Sequence, residues 1–141
     1  MGIETTLLPS RFLLTTLHFM VVTMLFNSKG NNLRAGLSLT FTIDQYRQVE
    51  SEFDAAIWIC IACFIIEYIA LFSGVSIMKN AQNGFLSCLH LLGTVLLSWF
   101  ILDSWHYKSF WYLVVCCSMI PAILESIVIM TTFLGGNLQY S

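Results

Sequence analysis

Three apolar runs, Ala55 to Met78, Phe85 to Leu102 and Phe110 to Leu134, each approach or exceed the length that carries a helix across a bilayer. A hydrocarbon core of about 30 Å needs roughly 20 residues at helical rise. The chain therefore reads as an integral membrane protein. Two carboxylates, Glu67 and Glu125, sit inside these runs. A charge at the centre of a membrane helix costs about 2.5–3.5 kcal/mol on insertion scales, so both must face protein and not lipid.

Composition agrees. Of 141 residues, 57% are hydrophobic and 10% charged, too little polar surface to cover a soluble globule of this size. The net charge of −2 comes from scattered residues with no Lys/Arg cluster, which argues against a nucleic-acid partner. Cys60, Cys63, Cys88, Cys116 and Cys117 all fall within the apolar runs, so no disulfide framework is implied.

A fourth apolar run, Phe12 to Phe26, reaches bilayer thickness when extended from Leu7 to Asn27. Pro9 and Ser10 fit a helix start, and the absence of a small-x-small site after Phe26 disfavours a cleaved signal peptide. Between the first two runs lies a polar segment, Ser28 to Asp54, with a Gly/Asn-rich part (Gly30, Asn31, Asn32). Its second part begins with the capping-box form of Thr42 and Gln45. Ile43, Tyr46, Val49 and Phe53 then recur on one face, predicting a short amphipathic helix on the membrane surface. Its other face, Asp44, Arg47, Glu50 and Glu52, is either solvated or a partner-binding face.

The expected architecture is all-α: one four-span membrane domain over residues 1–141, with spans at about 8–27, 55–77, 85–102 and 110–134. Tight connections predict that spans two, three and four are antiparallel neighbours. Trp99, Trp105, Tyr107, Trp111 and Tyr112 cluster at the last turn as headgroup anchors. Arg11 and Lys79 flank the side of the termini, against Lys29, Arg34, Arg47 and Lys108 opposite, so charge counting favours termini outside.

On span two, Ala56, Cys60, Cys63, Glu67, Ala70 and Gly74 follow a 4-3-4-3-4 spacing, a seam of small residues on which another helix could close. Gly74→Leu is accordingly expected to weaken assembly by steric clash. Span four carries a shorter version in Ser118, Ala122 and Glu125, beside Pro121, which should kink the helix and free a carbonyl. These nine residues form the candidate helix-packing or partner interface. Counted along their helices, Glu67 and Glu125 could meet near the midplane, with His18 as a second partner, and Ser87, His90 and Thr94 share a face. The carboxylates suggest either a proton-coupled pathway, as in small four-span antiporters, or a buried polar clamp. The clamp is preferred, because a long first loop and the lack of further pore-lining polar residues do not suggest a transport path.

Cys60-Ile61-Ala62-Cys63 lies too deep for redox work, since a desolvated thiol stays protonated and inert. Met1-Gly2 with Thr6 matches a myristoylation pattern, read as chance ahead of a span that already anchors the chain. No metal spacing or nucleotide loop appears, and no cofactor is expected.

Pro9-Ser10-Arg11-Phe12-Leu13, Leu39-Thr40-Phe41-Thr42, Glu67, Ser73-Gly74-Val75-Ser76, Trp111-Tyr112, Pro121-Ala122 and Glu125 together, at matching spacing over nearly the whole chain, resemble the transmembrane protein 107 family. That resemblance implies a four-span, non-enzymatic scaffold of the ciliary transition zone. It implies a role in localising proteins of the Meckel syndrome module, tectonics among the partners, and so in cilium assembly and ciliary membrane composition. It also implies that both termini are cytoplasmic, against the charge count. The alternative is a small proton-coupled transporter, or a subunit of one, using Glu67 and Glu125.

Overall fold

Four long apolar helices organise the chain in the computed structural model, which describes residues 3–74 and 80–138. Helix α1 covers Ile3–Ala35, α2 Ile43–Phe72 and α3 Asn80–Leu102; the last span is α4, Ser109–Val114, continued through one π-helical turn, Val115–Met119, into α5, Ile120–Leu138. All four spans are long and apolar enough to cross a membrane. The expected all-α, four-span architecture is observed, and there is no strand among the described residues. Lys79 and the Met1-Gly2 motif lie outside the described residues.

Helix boundaries differ from expectation in four places. Pro9 lies inside α1 and does not open it. It removes one backbone hydrogen bond near the helix end, where the loss is least, and the next residue, Ser10, donates its hydroxyl to the Thr6 carbonyl at 2.6 Å. The Gly/Asn stretch is helical as well, because tertiary contacts outweigh weak propensity. Asn32 Nδ2 donates to the Phe100 carbonyl at 2.7 Å and the Trp105 carbonyl at 3.0 Å, and Leu33 is fully buried. Lys29 bridges Glu50 and Asp54 on α2.

The amphipathic segment is not a separate surface helix. The capping box forms as read, with the Thr42 hydroxyl accepting from Gln45 N–H and the Gln45 side chain accepting from Thr42 N–H. Nothing interrupts the helix afterwards, however, so α2 runs unbroken from Ile43 into the span. Three of the four stripe residues instead pack on the protein, with Ile43 left exposed: Phe53 is buried among Phe100 and Phe110, with centroids at 6.1 Å and 4.7 Å, and Tyr46 and Val49 lean on the same core.

At its other end α2 stops at Phe72, with Ser73 as C-cap and Gly74 at φ 76°. Span two is therefore shorter than 55–77 at this end, and Gly74 leaves the helix seam. It occupies the left-handed position that closes a helix, where a Cβ is strained. A Gly74→Leu defect would report on helix termination, not on a lost close approach.

The helices form a ring in which α1 packs on α2 and α3, while the last span packs on α3 and α2. Spans three and four are neighbours as predicted, but α2 and α3 lie across the diagonal. Side-chain pairs give the directions: Thr16–Tyr68 and Lys29–Asp54 run antiparallel between α1 and α2, whereas Arg11–Asn83 and His18–His90 run in parallel register between α1 and α3. A close α1/α3 contact selects this order, because Gly93 leaves room for the His18 ring; a Cβ there would lie 2.6 Å from His18 Cε1 and 2.9 Å from Cys117 Cβ.

The π-helical turn ends just before Pro121, which has no N–H for the carbonyl one turn back, in line with the expected kink. The aromatic cluster at the last turn divides. Trp99, Trp111 and Tyr112 point outward, while Tyr107 is buried against Gly36 and Trp105 is half-buried on Phe100.

Gly93→Leu is expected to destabilise the protein by at least about 1–3 kcal/mol through overpacking. Gly84→Leu, where a Cβ would meet nothing within 4 Å, should be near neutral. Thermal unfolding of the two variants in detergent measures the difference.

Candidate functional site

Charged and polar side chains are expensive in hydrocarbon, and this chain collects them on the inside of its ring of helices. Arg11, Thr15, His18, Glu67, Asn83, Ser87, His90, Thr94, Ser118 and Glu125 are all buried. Arg11 and His18 are two helical turns apart on one face of α1, and Asn83 and His90 repeat that spacing on α3. Parallel packing of α1 on α3 therefore brings them together as two layers.

In the first layer Arg11 Nη1 donates to Asn83 Oδ1 at 2.6 Å and Nη2 to Glu125 Oε1 at 2.7 Å. Gln82 Nε2 reaches the same carboxylate oxygen at 3.2 Å. The ion pair is almost wholly withdrawn from solvent, at 1% and 0% side-chain exposure. Such a pair compensates two charges that neither lipid nor a lone helix could hold.

In the second layer His90 bridges two helices, with Nε2 at 2.6 Å from Glu67 Oε2 and Nδ1 at 3.2 Å from His18 Nδ1. With Glu67 ionised, His90 donates from Nε2 and accepts at Nδ1 from His18; with Glu67 protonated, both bonds reverse. Phe64 encloses the pair of imidazoles, edge-on to His18 at 5.1 Å between centroids. Glu67 Oε1 is buried without a hydrogen-bond partner among the described residues.

The two carboxylates do not join each other as their depth suggested. Each takes a basic partner from a different helix, His90 for Glu67 and Arg11 for Glu125, while remaining within electrostatic range of one another. Opposite partners cost less than two carboxyls sharing one site. His18 joins the cluster through His90 and not through a carboxylate.

Of the nine seam residues, Ala56, Cys60, Cys63, Glu67 and Ala70 are buried on α2, Ser118 and Ala122 are buried on the last span, and so is Glu125. These two helices pack on each other, and Cys60 lies against Ser118. Gly74 is the exception, past the end of the helix and half-buried. All five cysteines are free thiols, with Cys88 and Cys116 facing outward.

Sequence reasoning missed Arg11, Asn83 and Gln82. Arg11 precedes the apolar run and so reads as a flanking charge, whereas α1 begins eight residues earlier and carries it inside. The shared seven-residue spacing of Arg11/His18 and Asn83/His90 is the signal that could have found the cluster.

The family model for transmembrane protein 107 matches residues 7–129, a stretch that holds every member of both layers. The chain belongs to the transmembrane protein 107 family. Transmembrane protein 107 of Homo sapiens is 36% identical over 133 residues, covering 94% of this chain and 95% of that relative. The Mus musculus protein is 33% identical over the same shares, and the Danio rerio protein 36% identical over 84% of this chain and 88% of its own length. No solved structure matches the chain. Family and fold agree on a multi-pass membrane protein.

Arg11→Met should destabilise the bundle by about 3–5 kcal/mol, since it leaves Glu125 buried without its cation. The double variant Arg11→Met/Glu125→Leu should recover most of that loss. Denaturant unfolding in mixed micelles checks both.

Proposed function

We propose that this chain is a non-enzymatic membrane scaffold of the ciliary transition zone. It would hold proteins of the Meckel syndrome module, tectonics among them, in place, and so support cilium assembly and ciliary membrane composition. Both termini are assigned to the cytoplasm. The observation that carries this reading is membership of the transmembrane protein 107 family over residues 7–129. The interior supports it: Arg11 pairs with Asn83 and Glu125, and His90 with Glu67, so polar contacts tie all four spans together. Rigid presentation is what an assembly platform requires.

One observation favours a second reading. Glu67, His90 and His18 form a continuous hydrogen-bonded chain along which a proton could pass, as a proton-coupled transporter or its subunit would need. The two readings separate at one residue. Glu67→Gln keeps an acceptor for His90 but cannot carry a proton, so a scaffold should tolerate it.

A C-terminal tag imaged in ciliated cells is expected to give a discrete band at the ciliary base, between basal body and axoneme markers, for the wild type and for Glu67→Gln alike. Uniform plasma-membrane or reticular signal would sink the location. Loss of function in a folded, correctly placed Glu67→Gln protein, with proton flux abolished in proteoliposomes, would favour the transporter.

A further inference from the structure

Helices α1 and α2 outrun the membrane on the side away from the termini. Lys29, Glu50 and Asp54 form a charged bridge between them, and the apolar stretches end beside it, at Phe26 on α1 and Ala55 on α2. From Ala55 to the first residue of α2, Ile43, the helix rises about 18 Å, or about 17 Å at a typical tilt of 20°. The headgroup layer on one side is only about 5–8 Å deep. The loop joining α1 to α2 therefore stands clear of the lipid.

Its apolar side chains nonetheless point outward. Leu39 is 105% exposed, Ile43 73% and Phe41 40%. Phe41, Ile43, Tyr46 and Arg34 surround a hollow of about 220 Å³. The outward-facing apolar residues of the spans are covered by lipid, but these meet water, and apolar clusters in water mark interaction sites.

The patch is held in shape. Elsewhere in the same loop Gly36 lies against the Tyr107 ring, leaving no room for a Cβ. Leu37 N–H donates to the Arg34 carbonyl at 3.2 Å, the Thr42–Gln45 capping box fixes the far end, and the Phe41 and Tyr46 rings lie 6.0 Å apart. Binding there needs little ordering of the loop.

The rim supplies the charge that selects an occupant. Arg34 is exposed at the hollow and forms no ion pair among the described residues, in contrast to Arg11 and Lys29. We infer that the hollow formed by Arg34, Phe41, Ile43 and Tyr46 docks a protein segment that inserts an apolar or aromatic side chain and sets a neighbouring carboxylate on Arg34. An apolar anchor beside a charge-assisted contact is the usual anatomy of a small protein–protein hot spot. The inference extends the scaffold reading by assigning it an extramembrane contact surface.

The test is a random peptide-display selection against the full chain in neutral phosphatidylcholine nanodiscs, with Ile43→Asp as the counter-target. Both Ile43 and Arg34 are exposed, so Ile43→Asp and Arg34→Glu should fold, which an unchanged thermal midpoint verifies. Enriched peptides should carry an aromatic or branched apolar residue beside Asp or Glu, and lose about tenfold or more in affinity on either substitution. No enrichment over Ile43→Asp, or binding indifferent to Arg34→Glu, overturns the proposal. Two further results would do the same. One is quenching of a Leu39→Trp variant by brominated lipid, which would place the loop in the membrane. The other is dimerisation abolished by Ile43→Asp, which would make a second copy the occupant. Because selection in nanodiscs does not depend on cellular address, a mislocalised protein that still selects such peptides would sink the transition-zone reading alone.

Discussion

The buried pairing of Arg11 with Glu125 is the contact around which the rest of the bundle is arranged. A guanidinium and a carboxylate at 1% and 0% side-chain exposure, within helices that cross a bilayer, are tolerable only together. Meeting that demand ties the first helix to the last, the two elements farthest apart in sequence. Asn83 and Gln82 complete the arrangement from α3, so three spans share one polar layer. The His18–His90–Glu67 layer, two turns deeper along α1 and α3, adds α2 by the same logic.

Lipid-exposed and protein-exposed faces differ in what they can do. Apolar association is weak between helices already dissolved in hydrocarbon, so close approach and polar contacts must hold the spans together. Gly93 supplies the close approach, letting α1 settle against α3, and the two polar layers supply the contacts. Outside the membrane the ordinary rules return. At the span ends and beyond, Phe53, Phe100 and Phe110 form an aromatic cluster, Asn32 clips the α3–α4 turn, and Lys29 joins α1 to α2. Val22, Leu25, Ile57, Phe64, Leu97 and Val114 continue the apolar packing along the spans, so the two polar layers sit within one core.

The buried ionisable side chains Arg11, Glu67, His90 and Glu125 are paired with one another, and the loop joining α1 to α2 carries an apolar hollow with a cation at its edge. The proposed scaffold role draws on both features, the paired interior to hold the spans together and the hollow as the proposed docking surface. The transporter reading retains one physical foothold, the Glu67–His90–His18 chain, whose hydrogen bonds can run in either direction.

Much of this was legible in the residues. Four spans followed from run length, the inward orientation of Glu67 and Glu125 from the cost of charge in lipid, the Thr42–Gln45 cap from local spacing, and the break near Pro121 from its missing N–H. Each depends on one helix and its solvent, and so on information carried by a single segment. The partner of each carboxylate was not legible, because depth along a helix does not say which helix stands alongside. Short connections suggested that α2 and α3 would be neighbours, yet a parallel α1/α3 contact decided the order of the ring. The Gly/Asn stretch and the segment from Ile43 to Asp54 became parts of long helices only because Asn32, Lys29 and Phe53 found partners from elsewhere in the chain. Sequence by itself determined that this protein lies in a membrane, how often it crosses and which residues must hide from lipid, since those are transfer free energies of individual segments. Tertiary structure alone decided who pairs with whom, because pairing is a property of the packed ring of helices and of no segment within it.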